Sequence, residues 1–291
     1  MKPRDFADLT LLAALWGGSF LFMRYAAPAF GALPLMWLRV TIATACLLPL
    51  LVWRGQAGAL RARIGVVTVM GLFNSAIPFV LIAWATLSIT AGLASILNAT
   101  VPIMTALIGA VWLHDRLGAG RLAGLMIGMA GVVLLAADKA DFKPGGSGWA
   151  LLAMVAATAC YGFAANVTKR YLTGVPPMVN AAGSQIVSAV ALTPFALWSW
   201  PVQTPGALAW GAAAALGIGC TAVAYVLFFR LIARIGASRA VTVTFLVPVF
   251  GILWGALFLG EVVTLPMLLG GAVVLVGTGL STGWIRWPGG R

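Results

Sequence analysis

Residues 248–277 read PVFGILWGALFLGEVVTLPMLLGGAVVLVG, and Glu261 is the one charged side chain among these thirty residues. The apolar runs on both sides of that glutamate do not alternate with polar residues, which favours helices over membrane strands. A bilayer core about 30 Å thick needs about 20 apolar residues for each helical crossing. The stretch therefore predicts parts of two membrane-crossing helices joined by a short polar turn.

The composition of the whole chain agrees with a lipid surrounding. Of the 291 residues 62% are hydrophobic and 8% are charged, and the mean hydropathy is +1.04. Soluble domains have about 45–50% apolar and about 25% charged residues, so an ordinary soluble enzyme, a nucleic-acid-binding protein and a disordered chain are excluded. The net charge of +12 is then interpreted as basic residues in cytoplasmic loops.

Charges and Gly/Pro clusters divide the chain into ten predicted spans, which indicates an all-α integral membrane protein. The spans are Phe6–Tyr25, Pro34–Trp53, Ile64–Thr86, Ala91–Leu113, Ala119–Ala137, Gly148–Val167, Pro177–Trp200, Ala207–Ala233, Ala237–Leu259 and Thr264–Trp284. Few residues remain for an extramembrane domain. With the N-terminus in the cytoplasm, 14 of the 18 Lys and Arg residues lie on the cytoplasmic side. The positive-inside rule therefore predicts a multi-pass inner-membrane protein with both termini in the cytoplasm.

The two halves of the chain repeat each other. With a shift of 146 residues, 17 of the 67 positions in 71–137 are identical in 217–283, and Pro102 matches Pro248. Near the start of each half the shift is 145, and Trp16 matches Tyr161. The predicted units are a first repeat over 1–140, a linker over 141–147 and a second repeat over 148–291. Because each repeat has five helices, the second must be inverted in the membrane, and inverted repeats are typical of secondary transporters with a site near the midplane.

The residues around the second proline resemble a known transporter repeat. Pro248, the run Leu259-Gly260-Glu261 and the later Gly270 and Gly277 are similar to the EamA repeat of the drug/metabolite transporter (DMT) superfamily. The first half has a weaker copy, in which Asp115 replaces the usual glutamate. Within the superfamily, the pattern resembles that of the YddG-like amino-acid exporters. The resemblance implies ten helices, two cytoplasmic termini and export of small metabolites, and it leaves the substrate open, because the superfamily also transports sugars, nucleotide sugars and drugs.

Polar and aromatic side chains near the middle of the spans are the candidates for a substrate cavity. They are Trp16, Asn74, Phe79, Ser95, Asn98, Tyr161, Asn166, Gln185, Thr221, Tyr225 and Thr244. No acidic residue lies near the middle of a span, and proton-coupled carriers usually have one there. We therefore expect facilitated export of neutral or zwitterionic solutes, amino acids first among them.

Arg39, Pro102 and Pro248 are the candidates for gating. Each proline removes one backbone hydrogen bond from its helix and can act as a hinge. Arg39 is the one basic residue within a span. It is either an anchor bonded to backbone carbonyls or a gate that contacts a substrate carboxylate.

Other classes of function find less support. No phosphate-binding loop, metal-ligand cluster or nucleophile–base pair is evident, so we expect neither an enzyme nor a cofactor nor a metal. The expected partners are a small-molecule substrate and membrane lipid, without nucleic acid, and the expected state is a monomer. An exporter of sugars, nucleosides or drugs, a proton-coupled antiporter and, less favoured, a channel remain alternatives.

Overall fold

The computed structural model describes residues 2–137, 141–143 and 146–285 of the chain. Within these residues eight helices are long and apolar enough to cross a membrane, two further apolar helices of 17 residues are slightly shorter, and there is no β-strand. In chain order they are α1 (Pro3–Phe30), α2 (Ala32–Trp53), α3 (Ile64–Ala85), α4 (Ala91–Trp112), α5 (Ala119–Ala136), α6 (Gly148–Tyr171), α7 (Pro177–Trp198), α8 (Ala207–Ile235), α9 (Val243–Leu259) and α10 (Leu265–Ser281). This confirms the predicted ten-helix membrane fold. Positions 1 and 138–140 of the predicted first repeat, 144–145 of the predicted linker and 286–291 of the predicted second repeat lie outside the described residues.

The first helix is longer than its predicted span of Phe6–Tyr25. Arg24 does not end the helix, because its guanidinium Nη1 donates hydrogen bonds to the carbonyl oxygens of Thr86 (2.6 Å) and Leu87 (2.8 Å) at the end of α3. The helix instead ends at Gly31, whose φ of +79° favours glycine.

Helix packing follows the internal repeat. Helix α1 packs on α9 as α6 packs on α4, and α3 contacts α6 and α7 as α8 contacts α1 and α2. The pairs α2–α7, α4–α9 and α5–α10 join matching helices of the two halves. Each of these contacts thus has a counterpart when the two repeats are exchanged. This arrangement is that of two five-helix halves related by an approximate two-fold axis.

Glycines at matched positions set the closest helix crossings. A Cβ atom on Gly17 of α1 would lie 2.6 Å from the Phe250 Cβ of α9, and one on Gly162 of α6 would lie 2.8 Å from the carbonyl carbon of Met104 in α4. Any larger residue would force these helices apart. Small residues of this kind are the usual means of close helix packing in membranes, where backbones can then approach each other.

Three helices depart from regular α geometry beside the bundle axis. Helix α3 contains a π-helical segment at Leu72–Ala76, and α8 contains one at Ala215–Val223. Helix α4 is interrupted by a turn at residues 99–100, directly before Pro102, whereas Pro248 lies inside the continuous helix α9. Such departures free backbone groups or re-aim side chains and are frequent at functional sites.

Candidate functional site

A cavity of about 330 Å³ lies inside the bundle between the two halves. Nine of the eleven predicted cavity residues line it, together with Arg39. The nine are Trp16, Asn74, Phe79, Ser95, Asn98, Tyr161, Thr221, Tyr225 and Thr244. They come from α1, α3, α4, α6, α8 and α9, so the helices of both repeats build one shared site.

Many residues of the wall occupy matched positions of the two repeats. Phe79 matches Tyr225 and Asn98 matches Thr244 at a shift of 146, and both pairs line the cavity. The cavity therefore lies on the approximate two-fold axis. Arg39 breaks this symmetry, because its counterpart Ser184 is buried in α7 and its hydroxyl donates to the Ala181 carbonyl oxygen instead.

Arg39 is the charged residue of the cavity wall among the described residues. Its side chain is buried, with 5% of the residue exposed. Its Nε donates a 2.9 Å hydrogen bond to the Thr221 hydroxyl, and its guanidinium carbon lies 3.8 Å from the centre of the Phe79 ring. Within the described part of the chain, no carboxylate forms an ion pair with it. In the described structure, the positive charge thus has polar and aromatic neighbours but no opposite charge.

Aromatic rings form much of the remaining wall. The Trp16 and Phe228 ring centres lie 5.2 Å apart, and those of Phe79 and Tyr161 lie 6.5 Å apart at 61°. Such tilted and edge-to-face contacts hold rings in fixed orientations. They give the cavity rigid apolar surfaces next to its polar groups.

The polar groups of the wall differ in how far the protein satisfies them. The Asn74 amide donates to the Tyr225 hydroxyl at 3.3 Å, which joins α3 to α8 across the site. The Ser95 hydroxyl donates to the Gly92 carbonyl oxygen within its own helix. By contrast, Asn98 Oδ1 is buried and has no hydrogen-bond partner among the described residues, and Ser19 Oγ has none there except the Cys220 thiol. Neither oxygen is exposed on the cavity surface, so a bound solute would reach Asn98 Oδ1 only after its side chain has moved.

Two predicted cavity residues lie elsewhere. Asn166 is buried between α6 and α4, where its amide donates to the carbonyl oxygens of Thr105 and Gly162, each at 2.9 Å. Gln185 is buried in α7, and its amide donates to the Ser75 hydroxyl at 2.9 Å. Both side chains connect helices, which is the usual role of an isolated amide in a membrane bundle.

Some wall residues were absent from the sequence-based prediction. Ser19, Met23, Cys220 and Phe228 line the cavity. Ser19 and Met23 follow Trp16 at helical spacings of three and seven residues, and Phe228 follows Tyr225 by three. The helical period would have placed them on the same face as the predicted residues.

The cavity is open towards one face of the bundle. We call the face where α1 begins and α10 ends the terminal face. Val241, near the terminal face, lines the cavity and is 37% exposed, whereas its counterpart Ser95 near the other face is 0% exposed. Ala165 and its counterpart Phe20 show the same contrast, since Ala165 is exposed and Phe20 is buried. The structure is therefore closed at the face opposite the termini.

Two charged side chains hold the closed face together. The Glu261 carboxylate accepts hydrogen bonds from the backbone N–H groups of Ala91 (2.7 Å) and Gly92 (3.2 Å) at the start of α4. Arg24 binds the end of α3 next to this point. A carboxylate at a helix N-terminus satisfies free N–H groups and interacts favourably with the helix dipole. At the terminal face the matching Asp115 pairs with the Lys169 ammonium at 2.6 Å.

Comparisons with known proteins agree with this architecture. The model of the EamA-like transporter family matches the chain twice, over residues 8–137 and 148–283. A probable terminal-alkyne amino-acid exporter of Streptantibioticus cattleyicolor is 25% identical over 272 residues, which cover 92% of this chain and 90% of that protein. The uncharacterized transporter YdfC of Bacillus subtilis is 26% identical over 92% of this chain and 87% of its own length.

A solved crystal structure shares the fold. It superposes with a TM-score of 0.67 over 98% of this chain and 99% of its own, at 22% sequence identity. The two matches to the family model together span most of the sequence, and the residues between them include the predicted linker. This chain therefore belongs to the EamA-like transporter family of the DMT superfamily.

Proposed function

We propose that this chain is a secondary transporter that exports small neutral or zwitterionic metabolites, chiefly amino acids, by facilitated alternating access. The first repeat (1–140) and the second (148–291) move against each other around the cavity, and residues 141–147 link them. A single chain is the functional unit. Both termini lie in the cytoplasm, so the terminal face opens to the cytoplasm, and the chain resides in the inner membrane.

One observation supports this mechanism above the others. The cavity lies on the approximate two-fold axis and is open at one face and closed at the other. If each repeat adopted the conformation that the other repeat has in this structure, the open face would close and the closed face would open. Pro102 and Pro248 are the proposed hinges, and the turn directly before Pro102 supports that role in α4.

The chemistry of the wall supports the substrate class. Amide, hydroxyl and aromatic groups dominate it, and within the described residues no carboxylate lines it. A wall without Asp, Glu or His among the described residues suits facilitated transport, because proton relays in membrane carriers use these side chains. The probable amino-acid exporter from Streptantibioticus cattleyicolor is consistent with amino acids as substrates.

Counterflow into proteoliposomes tests the proposal. The purified full chain is reconstituted, the vesicles are loaded with an unlabelled amino-acid mixture, and entry of labelled methionine, threonine or phenylalanine is followed with and without a pH gradient. We expect saturable exchange that the gradient does not change. Dependence on the gradient would indicate a proton-coupled antiporter, and non-saturable flux would indicate a channel. Failure of every amino acid to exchange would contradict the substrate class.

A further inference from the structure

We infer that Arg39 binds the carboxylate of the transported solute and that Asn98 accepts a hydrogen bond from its ammonium group. The cavity would then select zwitterionic α-amino acids over uncharged or purely cationic solutes. The inference rests on the proposed function and specifies its substrate class and two of the residues that recognise it.

Among the residues that the structure describes, Arg39 has no opposite charge beside it. A buried cation loses its hydration, and the loss is offset only when an anion and further hydrogen bonds surround it. A guanidinium has five N–H donors. Thr221 accepts one of them, and the Met23 sulfur, 3.8 Å from Nη1, is a weak acceptor for another. With no ion pair among the described residues, donors of the planar fork remain for an anion that enters the cavity.

The side-chain oxygen of Asn98 is the acceptor that we assign to the ammonium group. Its Oδ1 atom is buried, lacks a partner among the described residues and belongs to a residue of the same cavity wall. Because an unpaired buried acceptor is costly, we expect the Asn98 side chain to rotate when the solute binds, so that a donor from the solute reaches this oxygen. An amide oxygen is also a suitable acceptor for an ammonium group.

The number of charges fixes the class of solute. One cation in the wall matches one negative charge, so a dicarboxylate or a polyphosphate would bring excess charge into a cavity of about 330 Å³. A sugar or nucleoside would leave Arg39 without an anion, and a cationic drug would be repelled by it. A monocarboxylate with an ammonium group satisfies both free groups.

The aromatic wall suggests which amino acids fit. Trp16, Phe79, Tyr161, Tyr225 and Phe228 supply apolar faces around the polar pair. A large apolar or aromatic side chain would bury most surface against these rings. L-phenylalanine is therefore the probe of choice.

A series of three competitors tests the recognition in the unmodified protein. Exchange of labelled L-phenylalanine is measured against L-phenylalanine methyl ester, which lacks the carboxylate, 3-phenylpropionate, which lacks the ammonium group, and unlabelled L-phenylalanine. We expect the ester to compete about 10- to 100-fold more weakly than phenylalanine, because a charge-assisted hydrogen bond is lost. Phenylpropionate should also compete more weakly than phenylalanine, but by a smaller factor than the ester does.

Variants assign the two contacts. Arg39→Gln should raise the half-saturation concentration of phenylalanine about tenfold or more and abolish the discrimination against the ester, with Arg39→Lys in between. Asn98→Leu should abolish the discrimination against phenylpropionate alone. The matched control is Ser184→Ala, at the position that corresponds to Arg39 in the second repeat and outside the cavity wall. It should leave the whole competition series unchanged.

The outcomes separate the inference from the proposed function. If phenylalanine exchanges but the ester competes equally well and Arg39→Gln has no effect, the inference is wrong and the transport function stands. If no amino acid exchanges, the proposed function fails, and thermal unfolding with 3-phenylpropionate decides the role of Arg39. If 3-phenylpropionate stabilises the unmodified protein but not Arg39→Gln, Arg39 binds the carboxylate. If it stabilises both proteins equally, or neither, the inference about Arg39 is wrong.

Discussion

Asn98 and Asn166 show how one residue type serves two purposes in this bundle. The Asn166 amide makes two hydrogen bonds that join α6 to α4, whereas Asn98 Oδ1 makes none within the described residues. Judged from helical spacing alone, both are polar residues in the middle of a span and cannot be distinguished. The surroundings decide that one holds the fold together and that the other faces the cavity.

This difference predicts opposite effects on stability. Asn166→Leu removes both interhelical hydrogen bonds and should destabilise the protein by about 1–3 kcal/mol. Asn98→Leu, the control on the neighbouring helix, removes an unsatisfied polar group and should be neutral or slightly stabilising. Thermal unfolding of the purified variants in detergent measures both. Equal destabilisation by the two substitutions would contradict the assignment.

At the scale of the helices, glycine residues determine how closely neighbouring helices approach each other. Gly162 of α6 lies against the backbone of α4, and an added Cβ would be 2.8 Å from the Met104 carbonyl carbon and the Thr105 nitrogen. At Gly211 of α8, no heavy atom of the described residues lies within 4 Å of the equivalent position. The first glycine is required by its neighbours, and the second is not.

Gly162→Leu should therefore reduce the yield of folded, monodisperse protein sharply, since backbone atoms cannot move aside as a flexible side chain can. Gly211→Leu should behave like the unmodified protein. Size-exclusion chromatography of both variants, expressed in parallel, gives the comparison. A normal elution profile for Gly162→Leu would show that α4 and α6 are not packed as described.

Each repeat has an acidic residue directly after its fourth helix, and each of these two residues contacts a second helix. Glu261 caps the start of α4 at the closed face, and its counterpart Asp115 pairs with Lys169 at the terminal face. Glu261→Gln should weaken the closed face, because the neutral amide is a poorer acceptor and loses the interaction with the helix dipole.

The measurement is the reactivity of a cysteine introduced at Ser95 towards a water-soluble thiol reagent, in a chain whose Cys46, Cys160 and Cys220 are alanine. Adding Glu261→Gln should increase the reactivity at position 95. Adding Asp115→Asn, the matched control at the other face, should not. Unchanged reactivity with Glu261→Gln would mean that the carboxylate does not hold the face closed.

At the scale of the whole molecule, the two inverted halves differ in accessibility although their sequences match. Val241 and Ser95 are counterparts, and 37% of the first and 0% of the second is exposed. Val241→Cys should react faster than Ser95→Cys in the cysteine-free chain. In oriented vesicles the reagent should reach Val241→Cys from the cytoplasmic side. Faster labelling of Ser95→Cys would indicate that the opposite face is the open one.

The sequence by itself determined the ten crossings, the helical class and the internal repeat. The run of apolar residues needed to cross a bilayer is long enough to be counted without a structure, and helix ends were misplaced mainly where a charge such as Arg24 stays within the helix. An odd number of helices per repeat also determined the inversion. Nine of the eleven residues expected at the cavity line it, because polar side chains in lipid-embedded helices rarely face the lipid.

Only the tertiary structure decided which polar side chains meet. Asn166 and Gln185 turn to neighbouring helices, and Arg39 reaches the cavity without an acidic partner among the described residues. It also decided which face is open. In a soluble helix the polar face marks the outside, but here lipid and protein interior are both apolar, so the sequence has no equivalent signal for direction. The side chain contacts between packed helices supply that information.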